Sequence, residues 1–160
     1  FYLFHDRLAH PARGFLRGGR EIGLSAGIGL QPWFEDYLAA FNRADFPAFG
    51  AFHAEDVILD GDTAQVTGRD AVLDFYRKVR SYLDERVDLL CFVGAPDESR
   101  IAAELRITMV AQRDWPDMPA GPMLAGDTRQ RVDFAIYDIA CGRITRIRTA
   151  RLSQSSAPVA

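Results

Sequence analysis

Residues 37–60 read YLAAFNRADFPAFGAFHAEDVILD, a stretch that changes from a helical to an extended pattern. Just before it, Pro32 suits a first helical turn, and apolar residues follow at helical spacing to form one stripe: Trp33, Phe34, Tyr37, Leu38 and Phe41. Asp45 can cap a second, short helix that has Pro47 in its first turn. Residues 57–60 then predict a short strand. The stretch therefore predicts two helices followed by a strand.

The rest of the chain predicts one more helix and then only strands. Apolar residues keep the helical period from about Asp70 to Glu85, which predicts a third helix. Beyond it the residues alternate, and the predicted strands are Val87–Val93, Ile101–Gln112, Thr128–Asp138 and Ile144–Leu152. Turn signals between the strands indicate antiparallel hairpins. Helices first and long strands afterwards predict an α+β fold, with three N-terminal helices packed on a curved antiparallel sheet.

Composition favours one folded domain without a charged binding surface. The 160 residues suffice for one core and are too few for two ordinary domains. A net charge of -3 argues against nucleic acid as a partner, because binding it needs clustered Lys and Arg. No apolar run approaches the ~18 residues of a membrane span, so we expect no membrane partner. Two cysteines without CxxC spacing fit free thiols in a reducing compartment, and we expect a cytoplasmic protein.

The first thirty residues differ in composition from the remainder. They are rich in glycine, carry scattered arginines and show no sustained helical or strand period. We expect residues 1–30 to be an extension outside the domain, residues 31–154 to form the domain, and residues 155–160 to be a short tail.

Three segments together resemble the nuclear-transport-factor-2-like superfamily. They are the opening stretch at 37–60, GRDAVLDFY at 68–76 and CGRITRIR at 141–148. The resemblance implies a cone-shaped fold whose hollow interior holds a small hydrophobic molecule, and a homodimer formed through the sheet. It implies no cofactor and no metal. Because the superfamily includes ketosteroid isomerases and SnoaL-like polyketide cyclases, it also implies proton transfer next to a carbonyl. The alternative is a non-catalytic ligand-binding or dimerisation module, which the same fold also provides.

The resemblance to ketosteroid isomerases implies two residues that hold the oxygen of the substrate. Tyr37 falls at the position of a tyrosine that donates a hydrogen bond to this oxygen, although it also fits the core stripe of the first helix. Asp133 falls at the position of a protonated aspartic acid that supplies the second donor. An acid without charged partners in an apolar cavity would stay protonated.

The segment RVDFAIYD at 131–138 decides whether Asp133 can take this role. Its side chains alternate between two faces of a strand. If Asp133 points inward, it shares the cavity face with Ala135 and Tyr137. The alternative places Asp133 in solvent and buries the other face, formed by Val132, Phe134 and Ile136.

The proton-moving base of the isomerases lies in the turn after the first strand. Counting from Tyr37 without gaps reaches Gly61, which Asp60 and Asp62 flank. Either aspartate is a candidate base, and a solvated turn is the alternative for both. The acid, arginine and acid network of the superfamily's epoxide hydrolases is not evident in the sequence.

The remaining candidates are residues expected to line the pocket. His53 is a candidate proton shuttle or a packed core histidine. We do not expect it to bind a metal, because the domain contains no second His. The loop at 114–127 is long for a hairpin and contains three prolines, so we expect it to cover the cavity or to rest on a partner subunit. The expected pocket set is Trp33, Phe41, His53, Tyr76, Trp115, Ala135, Tyr137 and Ile147.

Overall fold

Helices dominate the first part of the fold and strands the second. A computed structural model of the protein describes residues 29–61 and 64–157. The elements in chain order are α1 (Leu30–Asn42), α2 (Phe46–Ala51), β1 (His53–Asp60), β2 (Gln65–Thr67), α3 (Arg69–Arg80), β3 (Leu83–Gly94), β4 (Arg100–Ala111), β5 (Thr128–Ala140) and β6 (Arg143–Ala157). The expected N-terminal extension, apart from its last two residues, lies outside the described residues.

The six strands form one curved sheet in the order β2-β1-β6-β5-β4-β3. The long strands β3 to β6 pair antiparallel, as predicted. The expectation of a wholly antiparallel sheet is wrong at one place, because β1 runs parallel to β6 and pairs Leu59 with Ile147. These two strands are joined through most of the domain rather than by a hairpin, so no turn fixes their relative direction. The α+β class, with three helices on a curved sheet, is confirmed.

Helix α1 packs its apolar stripe against the concave face of the sheet. Phe34 is fully buried, and its ring centroid lies 4.8 Å from that of Tyr137 on β5. Asp45 caps α2 as predicted, since its Oδ1 accepts a hydrogen bond of 3.1 Å from the backbone N–H of Ala48. The N-terminal half of α1 is thus packed in solid core, whereas its C-terminal half borders a cavity that begins at Tyr37.

Helix α3 ends earlier than predicted. Its last residue is Arg80, and the backbone N–H of Ser81 closes the final turn by donating to the carbonyl oxygen of Arg77. Strand β3 begins soon afterwards, at Leu83. The prediction of a helix as far as Glu85 is therefore wrong, and Glu85 belongs to a strand that alternates between buried and exposed residues.

Strand β5 places its acidic residue on the concave face. Asp133 and Tyr137 are buried, at 3% and 4% exposure, whereas Phe134 and Ile136 are exposed on the convex face, at 49% and 37%. Because the side chains of a strand alternate, this assignment holds for the whole strand. The inward orientation of Asp133 is the one that the structure shows.

Candidate functional site

A cavity lies between α1, α3 and the concave face of the sheet. Its volume is about 460 Å³, within the range of roughly 300–1,000 Å³ that is usual for small-ligand sites. Most of its wall is apolar and is formed by Leu38, Phe41, Leu59, Phe75, Val79, Leu83, Val87, Leu105, Ile107, Met109 and Ile147. A cavity of this size and lining suits a small, largely hydrophobic molecule.

An ion pair lies in this apolar wall. The Nε atom of Arg131 is 3.1 Å from Oδ2 of Asp133, and the two side chains are 18% and 5% exposed. Both residues lie on the inward face of β5, two positions apart, and both line the cavity. The expectation that Asp133 has no charged partner is therefore wrong. A neighbouring guanidinium stabilises a carboxylate, so this site suits an acid that accepts a proton better than one that donates a hydrogen bond.

Three tyrosine side chains share the cavity with the ion pair. Tyr37, Tyr76 and Tyr137 all line the cavity, and the hydroxyl groups of Tyr37 and Tyr137 are hydrogen-bonded to each other. Burial raises the pKa of each phenol above its ordinary value. For Tyr76, the negative charge of Glu85 raises the pKa further. The phenols thus remain protonated at neutral pH and can donate hydrogen bonds to a ligand.

Glu85 is a second buried acid of the site, and the sequence analysis missed it. It lines the cavity from β3 and is 7% exposed. Burial raises the pKa of its carboxyl group, although the positive charges of Arg131 and Arg80 act in the opposite direction. Arg131 therefore has acids on both sides, Asp133 and Glu85, in one cavity. The alternation of Leu83, Glu85 and Val87 was the sequence signal that would have revealed this acid.

Asp60, one of the two aspartates predicted as a base, does not line the cavity. Asp60 points away from it, because Leu59 takes the inward position at the end of β1. Its carboxylate pairs with Arg146 at 2.9 Å, and hydrogen bonds from Arg146 and Gln65 lower its pKa. Asp60 as the base is therefore a wrong prediction. Asp62 lies outside the described residues.

The predicted pocket set divides between cavity and core. The cavity wall contains Phe41, Tyr76, Trp115, Tyr137 and Ile147. Three other members pack in the core and do not line the cavity: Trp33, His53 and Ala135. His53 is completely buried, with its ring centroid 4.7 Å from that of Phe49. Burial lowers the pKa of His53 to about 4, so it is a neutral core residue and not a proton shuttle near neutral pH.

The long loop covers the cavity of its own chain. Its residues 114–120 line the cavity, and Trp115 is stacked on Tyr82. The guanidinium of Arg129 holds the next part of the loop. Its Nη1 donates to the carbonyl oxygens of Ala120 and Gly121 at 2.9 and 3.2 Å, and its Nη2 to that of Pro122 at 3.0 Å. The segment 114–127 is hereafter called the lid.

Neither a metal centre nor a membrane-spanning helix is found in the part of the chain that the structure describes. Over residues 29–61 and 64–157, no three His, Cys, Asp or Glu side chains are grouped so that they could hold a metal ion. The helices in these ranges are too short or too polar to cross a bilayer.

The fold and the cavity define a protein that binds small molecules inside an α+β cone. The chain belongs to the SnoaL-like domain family, whose profile matches residues 34–147. No curated protein matches the sequence.

Solved structures share the fold. A candidate polyketide cyclase from Pseudomonas putida KT2440 is 30% identical with a TM-score of 0.68, over 78% of this chain and 92% of that chain. A candidate polyketide cyclase from Xanthomonas campestris is 27% identical with a TM-score of 0.67, over 75% and 87% of the two chains. A nuclear-transport-factor-2-like protein of unknown function from Cytophaga hutchinsonii is 12% identical with a TM-score of 0.58, over 80% and 94%, and shares the fold alone.

Proposed function

We propose that the protein binds a small hydrophobic carbonyl compound and transfers a proton at the carbon next to the carbonyl, as an isomerase or cyclase. The observation that carries the proposal is the Arg131–Asp133 pair, a nearly buried carboxylate in a mostly apolar cavity. The Nε atom of Arg131 lies 3.1 Å from the carboxylate and places a positive charge beside it. The candidate polyketide cyclases among the similar structures support the same reaction class.

The residues of the cavity suit both halves of such a transfer. Asp133 accepts the proton, the C–H bond breaks, and its electron pair moves into the enolate, so that negative charge develops on the carbonyl oxygen. Hydroxyl donors in a dry site stabilise that charge. The hydrogen-bonded pair of Tyr37 and Tyr137 supplies one such donor, because the other hydroxyl proton is used within the pair. Asp133 then returns the proton to another carbon, which gives isomerisation, or the enolate attacks a second carbonyl, which gives ring closure.

The test uses exchange of the protons next to the carbonyl of 1-tetralone, a small bicyclic ketone. In D2O, NMR follows replacement of these protons by deuterium, and we expect the wild-type protein to accelerate it. Asp133→Asn should lower the catalysed rate by about 10²–10⁴-fold, the usual contribution of a general base. Tyr37→Phe should lower it by up to about 10²-fold, because it removes one member of the hydrogen-bonded tyrosine pair that supplies the donor.

The matched control is Asp60→Asn, because Asp60 is an aspartate paired with arginine outside the cavity. Its exchange rate should equal that of the wild type. A rate that falls equally in Asp60→Asn and Asp133→Asn would contradict the proposal. Binding of 1-tetralone without accelerated exchange would identify a non-catalytic ligand-binding module instead.

A second candidate function is addition of water to an epoxide. The observation in its favour is the position of Arg131 between two acids of different character, the ion-paired Asp133 and the buried Glu85. The carboxylate of Asp133 would take a proton from water as its oxygen attacks the ring carbon. Glu85 would protonate the oxygen released when the C–O bond breaks. Formation of diol from styrene oxide, lost in Asp133→Asn and retained in Asp60→Asn, is the corresponding test.

The proposed assembly is a homodimer formed through the convex face of the sheet. The exposed side chain of Phe134 lies between Glu104 and Ala150 of the neighbouring strands. That of Ile136 lies between Ala102 and Arg148. Exposed apolar patches of this kind commonly mark protein interfaces. The rim is charged on both sides, with Arg100 bonded to Asp138 at 2.6 Å, and a self-complementary face suits two-fold association.

A further inference from the structure

The carboxyl group of Glu85 leaves a buried oxygen without a partner. Its Oε2 atom makes no hydrogen bond within the described residues. The side chain is 7% exposed and lines the cavity. Buried polar atoms are nearly always hydrogen-bonded, because they lose their water on burial. An exception in the wall of a binding cavity points to a ligand atom that completes the bond.

The two arginines near Glu85 form their ion pairs with other acids, although the Nε atom of each has no hydrogen-bond partner among the described residues. Arg80 donates through Nη2 to the carbonyl oxygen of Phe41 at 2.8 Å, and its Nη1 pairs with Asp84 at 3.1 Å. The Nε of Arg131 lies against Asp133 at 3.1 Å. Burial raises the pKa of Glu85, which favours the neutral acid. A neutral carboxylic acid offers one O–H donor and one carbonyl acceptor, so it can bind a hydroxyl or a carbonyl oxygen.

Glu85 and Asp133 occupy different points of the cavity wall. They flank strand β4 on opposite sides, where Glu85 pairs with Met109 and Asp133 with Leu105. These two β4 positions are four residues apart, or about 13 Å along the strand. The charge of Asp133 nevertheless acts on the carboxyl group of Glu85, so the two acids face one cavity from different points of its wall.

We propose that Glu85 is a second ligand-contact residue, and that the natural ligand carries two oxygen groups. One is the carbonyl held beside Asp133, and the other is a hydroxyl or carbonyl hydrogen-bonded to Glu85. The apolar residues between the two acids, Leu105, Ile107 and Met109, contact the hydrocarbon part of the ligand. This inference rests on the proposed binding of a carbonyl compound, because it takes the Asp133 end as the site of the first oxygen.

The experiment compares 1-tetralone with 6-hydroxy-1-tetralone, which adds a second oxygen on the side of the molecule remote from the carbonyl. Isothermal titration calorimetry measures both dissociation constants. We expect the wild type to bind the hydroxyl compound about tenfold more tightly, the effect of one buried hydrogen bond. Glu85→Leu should abolish this preference, so that the variant binds the two compounds with equal affinity. Glu85→Gln should retain part of the preference, because its amide still bonds to a hydroxyl.

The control is Glu55→Leu, which removes an exposed acid of β1 and should keep the full preference. Thermal melting verifies that each variant folds, and Glu85→Met replaces Glu85→Leu if the latter does not. Equal affinities of the wild type for both compounds would overturn the inference, as would a preference that survives Glu85→Leu. In both cases binding of 1-tetralone leaves the proposed function standing. Failure of the wild type to bind either compound would overturn both.

Discussion

The indole ring of Trp115 in the lid is stacked on the ring of Tyr82, with centroids 4.6 Å apart and planes at 20°. Tyr82 lies directly before β3, and both rings border the cavity. The stack therefore holds one end of the lid against the body of the domain.

The stack leads to a prediction about ligand exchange. A stacked aromatic pair contributes about 0.5–1.5 kcal/mol beyond its buried area. Trp115→Ala should therefore make opening of the lid up to about tenfold more frequent. We expect the dissociation rate of 1-tetralone, measured by NMR exchange spectroscopy, to rise by this factor. Leu124→Ala is the control, because Leu124 belongs to the lid but is 62% exposed. Equal dissociation rates in wild type and Trp115→Ala would show that the stack does not limit exchange.

His53 predicts a specific loss of stability in acid. The folded protein binds a proton at this residue with a pKa of about 4, whereas the unfolded chain does so near 6.5. The unfolded state thus binds more protons in this interval, so stability falls as pH drops from 6.5 to 4, by about 3 kcal/mol in total. His53→Leu should lose this part of the pH dependence. Urea unfolding of both proteins across the interval checks it, and parallel pH profiles would contradict it.

Glu85 predicts a pH effect in the opposite direction. Because burial raises its pKa above the ordinary value of 4.5, the folded state favours the protonated acid. Its favourable contribution is complete below pH 4.5 and is lost as pH rises through the folded-state pKa. Glu85→Gln removes the titration, so its stability relative to the wild type should increase between pH 4.5 and the folded-state pKa and be constant above that pKa. Chemical unfolding at a series of pH values measures the difference, and a constant difference would show that Glu85 is not buried as an acid.

The convex face predicts the oligomeric state. We expect the wild type to sediment as a dimer at micromolar concentration, and Phe134→Asp with Ile136→Asp to sediment as a monomer, because the charges cannot be buried at an apolar interface. The control is Leu124→Asp, which adds a charge at a different exposed apolar residue, in the lid and not on the sheet. A wild-type protein that sediments as a monomer would refute dimerisation through this face.

The sequence predicted the fold well because its signals are local. The stripe of α1 and the cap at Asp45 depend on neighbours within a few residues, and both are present in the structure. The direction of β1 relative to β6 was missed, because it depends on packing between distant segments. Local patterns identify the elements, and tertiary packing selects between parallel and antiparallel neighbours.

The site was harder to predict because it depends on which face of a strand each residue occupies and on where long side chains reach. Alternation placed Asp133 on one face with Ala135 and Tyr137 but left open which face of the strand points inward, and only the structure decides this. The prediction of Asp60 as the base was wrong because consecutive residues of a strand point to opposite faces. At the end of β1, Leu59 faces the cavity and Asp60 faces away from it. Glu85 was missed because the predicted third helix extended over the start of β3, since Val79 and Leu83 still match a helical period.

Arg131 was overlooked for a different reason. An arginine on a strand beside other polar residues fits a solvated face, and only the assembled sheet shows that it lies in the cavity. Its pairing with Asp133 could not be deduced from alternation alone, since alternation assigns a face but not the environment of that face.

The attachment of the lid to Arg129 has a consequence for how this site can change through evolution. Arg129 bonds to the backbone carbonyls of residues 120–122, and every amino acid supplies such a carbonyl. The lid residues that line the cavity, such as Trp115 and Met118, lie in the preceding part of the loop. Mutations there can alter the shape offered to a ligand while the anchor persists. Ligand preference can therefore diverge among descendants of this protein while the same lid continues to close the cavity.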